Sequence, residues 1–145
     1  MKLNGTHKFK ANSTRVFNAI LDPAVLQKCI PGCESVTPLD ATRLLVNVTL
    51  PLSLPGLKGA YAVTVNLLQR QDPNLIVLGV KRQGRGGSVD AIANINIADE
   101  SDGARITYDA NAELSGAIAI ASTVGKPFVN NALNSVFENL DKTLA

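Results

Sequence analysis

Between residues 33 and 114 the apolar residues of this chain recur at every second position, and this long stretch constrains the fold more than any other feature. A period of two is typical of β-strands that bury one face, because successive side chains point to opposite sides of the backbone. Short, turn-rich connectors such as "QDPN", "GRGG" and "DESDG" join the segments. Short connectors favour hairpins, so the pattern predicts an antiparallel meander.

Six segments carry this alternation, and the side chains on their apolar phase are predicted to face the core. A turn over residues 39–42 separates the first two segments. The fourth segment is apolar on both phases, so its inward face stays undecided. The segments are ESVTP, RLLVNVTL, KGAYAVTVNLLQR, NLIVLGVKRQ, SVDAIANINIA and ARITYDANAEL. The predicted inward residues are Tyr61, Val63, Val65, Leu67, Ala91, Ala93, Ile95, Ile97, Ile106, Tyr108, Ala110 and Ala112.

The N-terminal residues predict one more strand, followed by two short helices. Residues 2–10 alternate, with His7 on the apolar phase. The period then changes to three or four, and Ser13 is suited to be the N-cap of a helix. Asp22-Pro23 interrupts this pattern, and proline is favoured in the first turn of a new helix. The second helix is expected to end near Pro31-Gly32, which is a turn signal.

The C-terminal segment has a helical period and predicts one long helix. Some 20 to 27 helical residues would span roughly 30 to 40 Å, which is long enough to lie across a whole sheet. Pro127 is expected to kink this helix or to mark its first well-formed turn. The apolar stripe of the helix consists of Val129, Leu133, Val136, Phe137, Leu140 and Leu144.

The order of these elements predicts an α+β fold. A curved seven-stranded antiparallel sheet wrapped around the long C-terminal helix, with two short helices between strands one and two, would bury both apolar faces. No repeat, linker or low-complexity tract divides the 145 residues. We therefore expect a single domain over residues 1–145.

The charge and the N-terminus exclude several classes of protein. The chain carries 14 basic and 12 acidic residues, and a net charge of +2 is too small to predict nucleic-acid binding. Its first residues lack the apolar core of a signal peptide. Every apolar stretch is interrupted before the roughly 18 residues that a membrane span needs. We therefore expect a cytoplasmic protein.

The stretch "CIPGC" places Cys29 and Cys33 close together and raises the question of a metal or redox site. A structural zinc site needs about four Cys or His ligands, and the chain offers two Cys and one His. A redox Cys-x-x-Cys motif has two intervening residues, whereas here there are three. The stretch predicts a corner between the second helix and the second strand, and we expect no metal, no other cofactor and no catalytic constellation.

Several inward positions carry very small side chains. Ala91 and Ala93 lie on one strand, Ala110 and Ala112 lie on the next, and Gly5 adds no bulk. These residues could leave an apolar pocket for a ligand, or they could let the helix approach the sheet closely. An empty void would cost about 24 cal/mol per Å³. The residues alone leave the two interpretations open.

The run "FNAILDPAVLQKCIPGCESV" resembles the start of the CoxG family of carbon monoxide dehydrogenase subunits. Members carry Asp-Pro-x-x-Leu-x-x-Cys-Ile-Pro-Gly-Cys-Glu after a first strand, and this chain has that pattern from Asp22 to Glu34. The resemblance covers nearly the whole chain but departs at "LPLSLPGLKG" and at Pro127. Later segments that match in the same order are LKGAYAVTVNL, GRGGSVDA and GARITYDANAELSGAIA.

The resemblance implies the helix-grip fold of the START-like, or SRPBCC, superfamily, with a deep apolar cavity between sheet and helix. It further implies a non-enzymatic accessory protein of a carbon monoxide dehydrogenase-type molybdenum hydroxylase, which binds or carries a quinone or a lipid. Recruitment to the inner face of the membrane is a further implication. A cyclase- or dehydratase-like enzyme, with His7 and a tyrosine as acid–base pair, stays open as an alternative, as does an interaction module with a closed core.

The candidate residues follow from the strand phases and the resemblance. His7 could donate a hydrogen bond to a quinone carbonyl or be a core histidine, and each tyrosine could pair with a ligand or with protein. The Leu- and Pro-rich residues 50–57 predict either a portal or a loop folded over the cavity. Arg70, Lys81, Arg82 and Arg85 predict either a contact to anionic lipid or a solvated hairpin tip. The predicted cavity residues are His7, Tyr61, Val63, Ala93, Ile95, Tyr108, Ala110, Phe128, Ala132 and Val136. The predicted mouth or contact residues are Ile30, Pro31, Leu52, Leu54 and Leu57.

Overall fold

A computed structural model describes the backbone of residues 1–50, 59–84 and 86–145. Side chains are not described at residues 50, 59, 60, 117, 118 and 120–129. In chain order the elements are β1 (Lys2–Phe9), α1 (Ser13–Ile20), α2 (Pro23–Cys29), β2 (Cys33–Pro38), β3 (Arg43–Leu50), β4 (Gly59–Gln71), β5 (Leu75–Arg82), β6 (Val89–Glu100), β7 (Gly103–Leu114) and α3 (Ala117–Leu144).

The seven strands form one antiparallel sheet in the order β1-β7-β6-β5-β4-β3-β2. The predicted meander from β2 to β7 and the α+β class are confirmed. The edge position of β1 beside β7 is a long-range pairing, in which Leu3 lies opposite Ala110 and Phe9 opposite Ala104. The chain crosses from this edge to the opposite edge through α1 and α2.

One face of the sheet, here called the inner face, carries the residues that pack against the helices. The register runs across it from Val63 opposite Val46, through Val65 opposite Val80, to Ala91 opposite Ala112. The inward phases predicted for β4, β6 and β7 are therefore confirmed. In β5 the undecided phase is settled, since Ile76 lies opposite Ile95 and is fully buried.

The two short helices are held by side-chain caps. The N-cap of α1 is Asn12, whose side chain accepts a hydrogen bond from the Arg15 N–H at 3.0 Å, so the prediction of Ser13 as the cap is wrong by one position. Ser13 instead donates from both its N–H and its hydroxyl to Asp99 on β6, at 2.8 and 2.9 Å. These two bonds lower the pKa of the Asp99 carboxyl. In α2 the side chain of Asp22 accepts from the Ala24 N–H, as the Asp-Pro signal predicts.

The C-terminal helix α3 is one element of 28 residues. It begins at Ala117, so Pro127 lies inside the helix and does not mark its first turn. Its C-terminal half packs on the inner face through Phe137 and Leu140, which are 7% and 2% exposed. The predicted apolar stripe is confirmed at these two positions and at Leu133, Val136 and Leu144, which pack against the same core. The sixth predicted position, Val129, lies outside the described side chains.

The "CIPGC" stretch is a tightly held corner between α2 and β2. Gly32 has a left-handed backbone (φ +75°), and a Cβ atom at this position would overlap the Thr49 carbonyl oxygen of β3. The Thr49 N–H donates to the Gly32 carbonyl at 2.9 Å. On the other side of the corner, the Asn139 side chain of α3 donates to the Cys29 carbonyl at 3.0 Å. The corner therefore ties α2 to the sheet and to α3.

Candidate functional site

The inner face of the sheet is covered unevenly. At one end the core is closed, since Ile76, Ile97 and Ile106 are at most 2% exposed. Toward the other end the apolar side chains of Val63 and Val80 are only half-buried. This half-buried region, here called the open region, is where an apolar molecule could contact the sheet.

The floor of the open region is a ladder of alanines. Ala91 lies directly opposite Ala112, and Ala93 lies opposite Ala110. Ala93 and Ala110 are half-buried, and Ala112 is 9% exposed. Paired alanines on adjacent strands leave room above the sheet, because directly opposed Cβ atoms are only about 5 Å apart and carry nothing further.

An aromatic cluster marks the boundary between the closed core and the open region. The His7 ring lies 4.9 Å from the Phe9 ring and 5.8 Å from the Phe137 ring, measured between centroids. The Tyr108 ring lies 5.2 Å from Phe137. Phe137 therefore stands between the two polar rings that the sequence predicts for the cavity.

Both polar rings lack protein hydrogen-bond partners among the described residues. Neither nitrogen of His7 nor the hydroxyl of Tyr108 makes a hydrogen bond there. The Tyr108 side chain is nevertheless buried, with the residue 8% exposed, and this burial raises the pKa of its phenol. A buried phenol normally finds a partner, whereas the Tyr108 hydroxyl, which lies against Gly5 of β1, is a neutral hydrogen-bond donor without an acceptor among the described residues.

The pH dependence of stability should report the burial of Tyr108. Its folded-state pKa lies above the ordinary value of about 10. The contribution of the neutral phenol to stability is therefore complete below about pH 10 and is lost as the pH rises through the raised pKa. Urea unfolding of the wild type and of Tyr108→Phe, repeated at increasing pH, should show the wild type losing more stability above pH 10. The control variant Tyr61→Phe, which keeps Tyr108, should lose stability above pH 10 as the wild type does. Equal pH profiles for the wild type and Tyr108→Phe would contradict the prediction.

Tyr61 lies at the far end of the inner face and contacts the guanidinium group of Arg82. It is opposite Val48 in the register and half-buried. The Arg82 guanidinium carbon lies 4.6 Å from the centre of the Tyr61 ring, and Arg82 also donates to the Gly87 carbonyl. Arg82 is therefore half-buried and holds the β5–β6 hairpin, whereas Arg70 and Lys81 are exposed. Arg85 lies outside the described residues.

The β5–β6 hairpin is in turn fastened to the start of α3. Ser88 and Ser115 exchange backbone hydrogen bonds of 3.3 and 3.1 Å, and their hydroxyls lie 2.6 Å apart. A Cβ atom at Gly87 would overlap the Ser115 carbonyl. Gly116 takes a backbone conformation (φ 71°, ψ −150°) that is open to glycine alone. This junction fixes where the long helix begins relative to the open region.

The two thiols have structural surroundings. Cys29 is fully buried, with its sulfur 3.8 Å from the Thr143 hydroxyl of α3. Cys33 donates to the Ser35 carbonyl at 3.5 Å, and burial raises the pKa of its thiol. Within residues 1–50, 59–84 and 86–145 no group of His, Cys, Asp or Glu has the arrangement of a metal site.

Among the described residues, the outer face of the sheet carries shallow hollows of about 520 and 310 Å³. Lys81 and Asp90 line the larger hollow, and Asp109 and Glu113 line the smaller. Both hollows are open to solvent, so neither suits an apolar molecule. In the part of the chain that the structure describes, no helix is long and apolar enough to cross a membrane.

A family model for the CoxG subunits of carbon monoxide dehydrogenase matches residues 5–145. The chain belongs to the CoxG family. A search of curated proteins found no match. The resemblance identified from the "CIPGC" stretch is confirmed by this match.

Solved structures share the fold of this CoxG-family chain over nearly its whole length. A conserved protein from Geobacillus kaustophilus superposes with a TM-score of 0.90 at 23% identity, covering 99% of this chain and 95% of that one. A protein from Chromobacterium violaceum gives 0.78 at 18% identity, with 99% and 96% covered. A protein from Mycobacterium smegmatis gives 0.76 at 19% identity, with 99% and 90% covered.

The structure brings most of the predicted cavity residues of this CoxG-family member to the inner face or to α3. Ala132 and Val136 are half-buried on α3, and Ile95 is 7% exposed beside Tyr108 in the register. At the α2–β2 corner, Ile30 is half-buried and Pro31 is exposed. The predicted residues outside the described side chains are Phe128, Leu52, Leu54 and Leu57.

Sequence reasoning missed the contacts that three residues make at the site. Phe9 and Phe137 hold His7 and Tyr108, and Arg82 holds Tyr61. Phe9 lies on the same apolar phase as His7, and Phe137 lies on the helical stripe, so both signals were in the sequence. The contacts between them depend on the pairing of β1 with β7, for which the sequence carries no local signal.

Proposed function

We propose that this CoxG-family protein binds an apolar molecule, a quinone or a lipid, between the open region of the sheet and α3. Its role would be that of a non-enzymatic carrier that serves a carbon monoxide dehydrogenase-type molybdenum hydroxylase. The observation that carries the proposal is the alanine ladder, because Ala93 and Ala110 are half-buried where the neighbouring core is closed. Each Å² of apolar surface that a ligand removes from water stabilises the complex by about 25 cal/mol.

The polar rings at the edge of the open region favour a ligand with a polar head. His7 and Tyr108 have no hydrogen-bond partners among the described residues and flank Phe137. Ligand pockets are typically apolar with a few polar groups that fix orientation. A quinone fits this arrangement, since its carbonyl oxygens accept hydrogen bonds and the rest of the molecule is apolar.

The partner and the location follow from the family. Membership of the CoxG family associates the chain with carbon monoxide dehydrogenase. A carrier of quinone would work at the inner surface of the membrane, where it would exchange its ligand with the bilayer while attached peripherally. Residues 52, 54 and 57 would be candidates for this membrane or partner contact.

Transfer of quinone from vesicles tests the proposal. Phosphatidylcholine vesicles that contain a long-chain quinone are mixed with the protein and then removed by flotation. We expect about one quinone per chain in the protein fraction, as a single binding site would hold. His7→Ala should lower the retained quinone severalfold if the imidazole contacts the ligand, while Lys8→Ala, its exposed neighbour, should not. Recovery of protein without quinone would contradict the carrier role.

The second candidate is an enzyme of the cyclase or dehydratase kind that uses the same region. The observation that favours it is the pair His7 and Tyr108, an imidazole and a neutral phenol that both adjoin Phe137. Such a pair can act as general base and general acid. Mass spectrometry of the ligand recovered from the vesicle experiment distinguishes the two, because a carrier returns the quinone chemically unchanged.

A further inference from the structure

Gly5 on β1 makes room for the ring of Tyr108. The two residues lie directly opposite each other in the register of β1 and β7. A Cβ atom built on Gly5 would lie 2.7 Å from the Tyr108 hydroxyl oxygen, 3.0 Å from Cζ and 3.1 Å from Cε1. The edge of the phenol ring therefore packs on the bare backbone of residue 5. The sequence left open whether the small inward residues leave a void or allow a close approach, and at Gly5 the tyrosine ring approaches closely and fills the space.

The position of this ring is fixed from two sides. Gly5 supports one edge of the ring, and Phe137 of α3 lies 5.2 Å away between ring centroids. Glycine in a strand interior weakens the strand and often marks a close approach by another group. Here the group that approaches is the tyrosine hydroxyl, the one polar atom of an otherwise buried side chain.

The hydroxyl has the chemistry of a donor without an acceptor. It makes no hydrogen bond within the part of the chain that the structure describes, and burial raises the pKa of the phenol, so it stays protonated. A protonated phenol donates well to a carbonyl oxygen. A hydrocarbon has no acceptor for the phenol O–H. Its binding would leave the hydroxyl desolvated and unpaired, which costs free energy.

We infer that Gly5 positions the Tyr108 hydroxyl so that it selects, among apolar molecules, those that carry a carbonyl oxygen. The inference rests on the proposed function, because it concerns the ligand of the same open region. It assigns Tyr108 as the residue that contacts the ligand head and Gly5 as a positioning residue that acts through Tyr108. A methyl group at residue 5 would force the end of the tyrosine side chain to move.

The test compares two probes of one shape, 2-methyl-1,4-naphthoquinone and 2-methylnaphthalene. Each is titrated as a competitor of a bound fluorescent apolar dye, and the ratio of the two affinities is the readout. We expect the wild type to prefer the quinone about three- to tenfold, as one net hydrogen bond would give. Tyr108→Phe and Gly5→Ala should each bring the ratio near one. The double variant should show no further change, and Asn4→Ala, the exposed neighbour of Gly5, should keep the wild-type ratio.

A stability cycle checks the contact without a ligand. If the alanine methyl displaces the hydroxyl, Gly5→Ala should cost less stability in a Tyr108→Phe background than in the wild type, because phenylalanine lacks the nearest atom. Equal costs in the two backgrounds, or a ratio that Gly5→Ala leaves unchanged while both probes still bind, would overturn the inference and leave the proposed function standing. Binding of neither probe by the wild type would overturn both.

Discussion

Replacing Ala93 by leucine is expected to weaken the binding of an apolar ligand at least tenfold without weakening the fold. Ala93 lies at the centre of the alanine ladder, opposite Ala110 and Leu78, and is half-buried. Three added carbons at this position would occupy space that the ligand needs. A loss of 1.4 kcal/mol corresponds to a factor of ten, and forcing extra methylenes into a filled site costs about 1 to 3 kcal/mol.

The same substitution distinguishes a ligand pocket from a closed core. If the room above Ala93 is real, the leucine side chain enters it and the melting temperature of the ligand-free protein stays the same or rises. If α3 covers Ala93 closely, overpacking lowers the free energy of unfolding by about 1 to 3 kcal/mol. Ala98→Leu is the matched control, because Ala98 lies on the same strand but is exposed on the outer face. Dye binding and thermal unfolding of the three proteins give the answer.

Substitution of Gly32 by alanine is expected to cost about 3 kcal/mol of stability. The left-handed conformation of residue 32 alone disfavours alanine by about 1 kcal/mol. In addition, the new Cβ would overlap the backbone carbonyl of Thr49, which cannot rotate away as a side chain can. The hydrogen bond from the Thr49 N–H to Gly32 would then be strained as well.

Gly84→Ala is the control that separates these two costs. Gly84 also has a positive φ, of 153°, but a Cβ atom there meets only the end of the Arg82 side chain, at 3.6 Å. Urea unfolding should therefore show a cost near 1 kcal/mol for Gly84→Ala and a clearly larger one for Gly32→Ala. Equal costs would mean that the Thr49 contact does not hold the corner. The corner is the part of the chain that carries the most specific family motif.

The strands were predictable because their signal is local. Period-two alternation and short turns settle β2 to β7 without reference to any distant residue, and the inward faces of β4, β6 and β7 follow from the same period. The phase of β5 was not predictable, since Leu75, Val77, Leu78 and Val80 make both phases apolar. Only pairing with β4 and β6 decides which phase is buried.

What the sequence could not predict depends on contacts between distant segments. Ser13 and Asn12 are both good N-caps, and the choice is made by Asp99, which engages Ser13 from 86 positions away. The space that Gly5 leaves is filled by Tyr108, and this contact depends on the pairing of β1 with β7. The candidate site was therefore predictable as a face of the sheet, but the residues that contact its polar rings were not.

The direct test of the central claim is whether the protein carries an apolar molecule and what that molecule is. The CoxG-family protein is purified without detergent and extracted with organic solvent, and the extract is analysed by mass spectrometry. A quinone or another long apolar molecule, present at a constant ratio to protein and much reduced in Ala93→Leu, is the predicted result. A wild-type extract that contains no such molecule, from a protein whose Ala93 tolerates no leucine, would contradict the account.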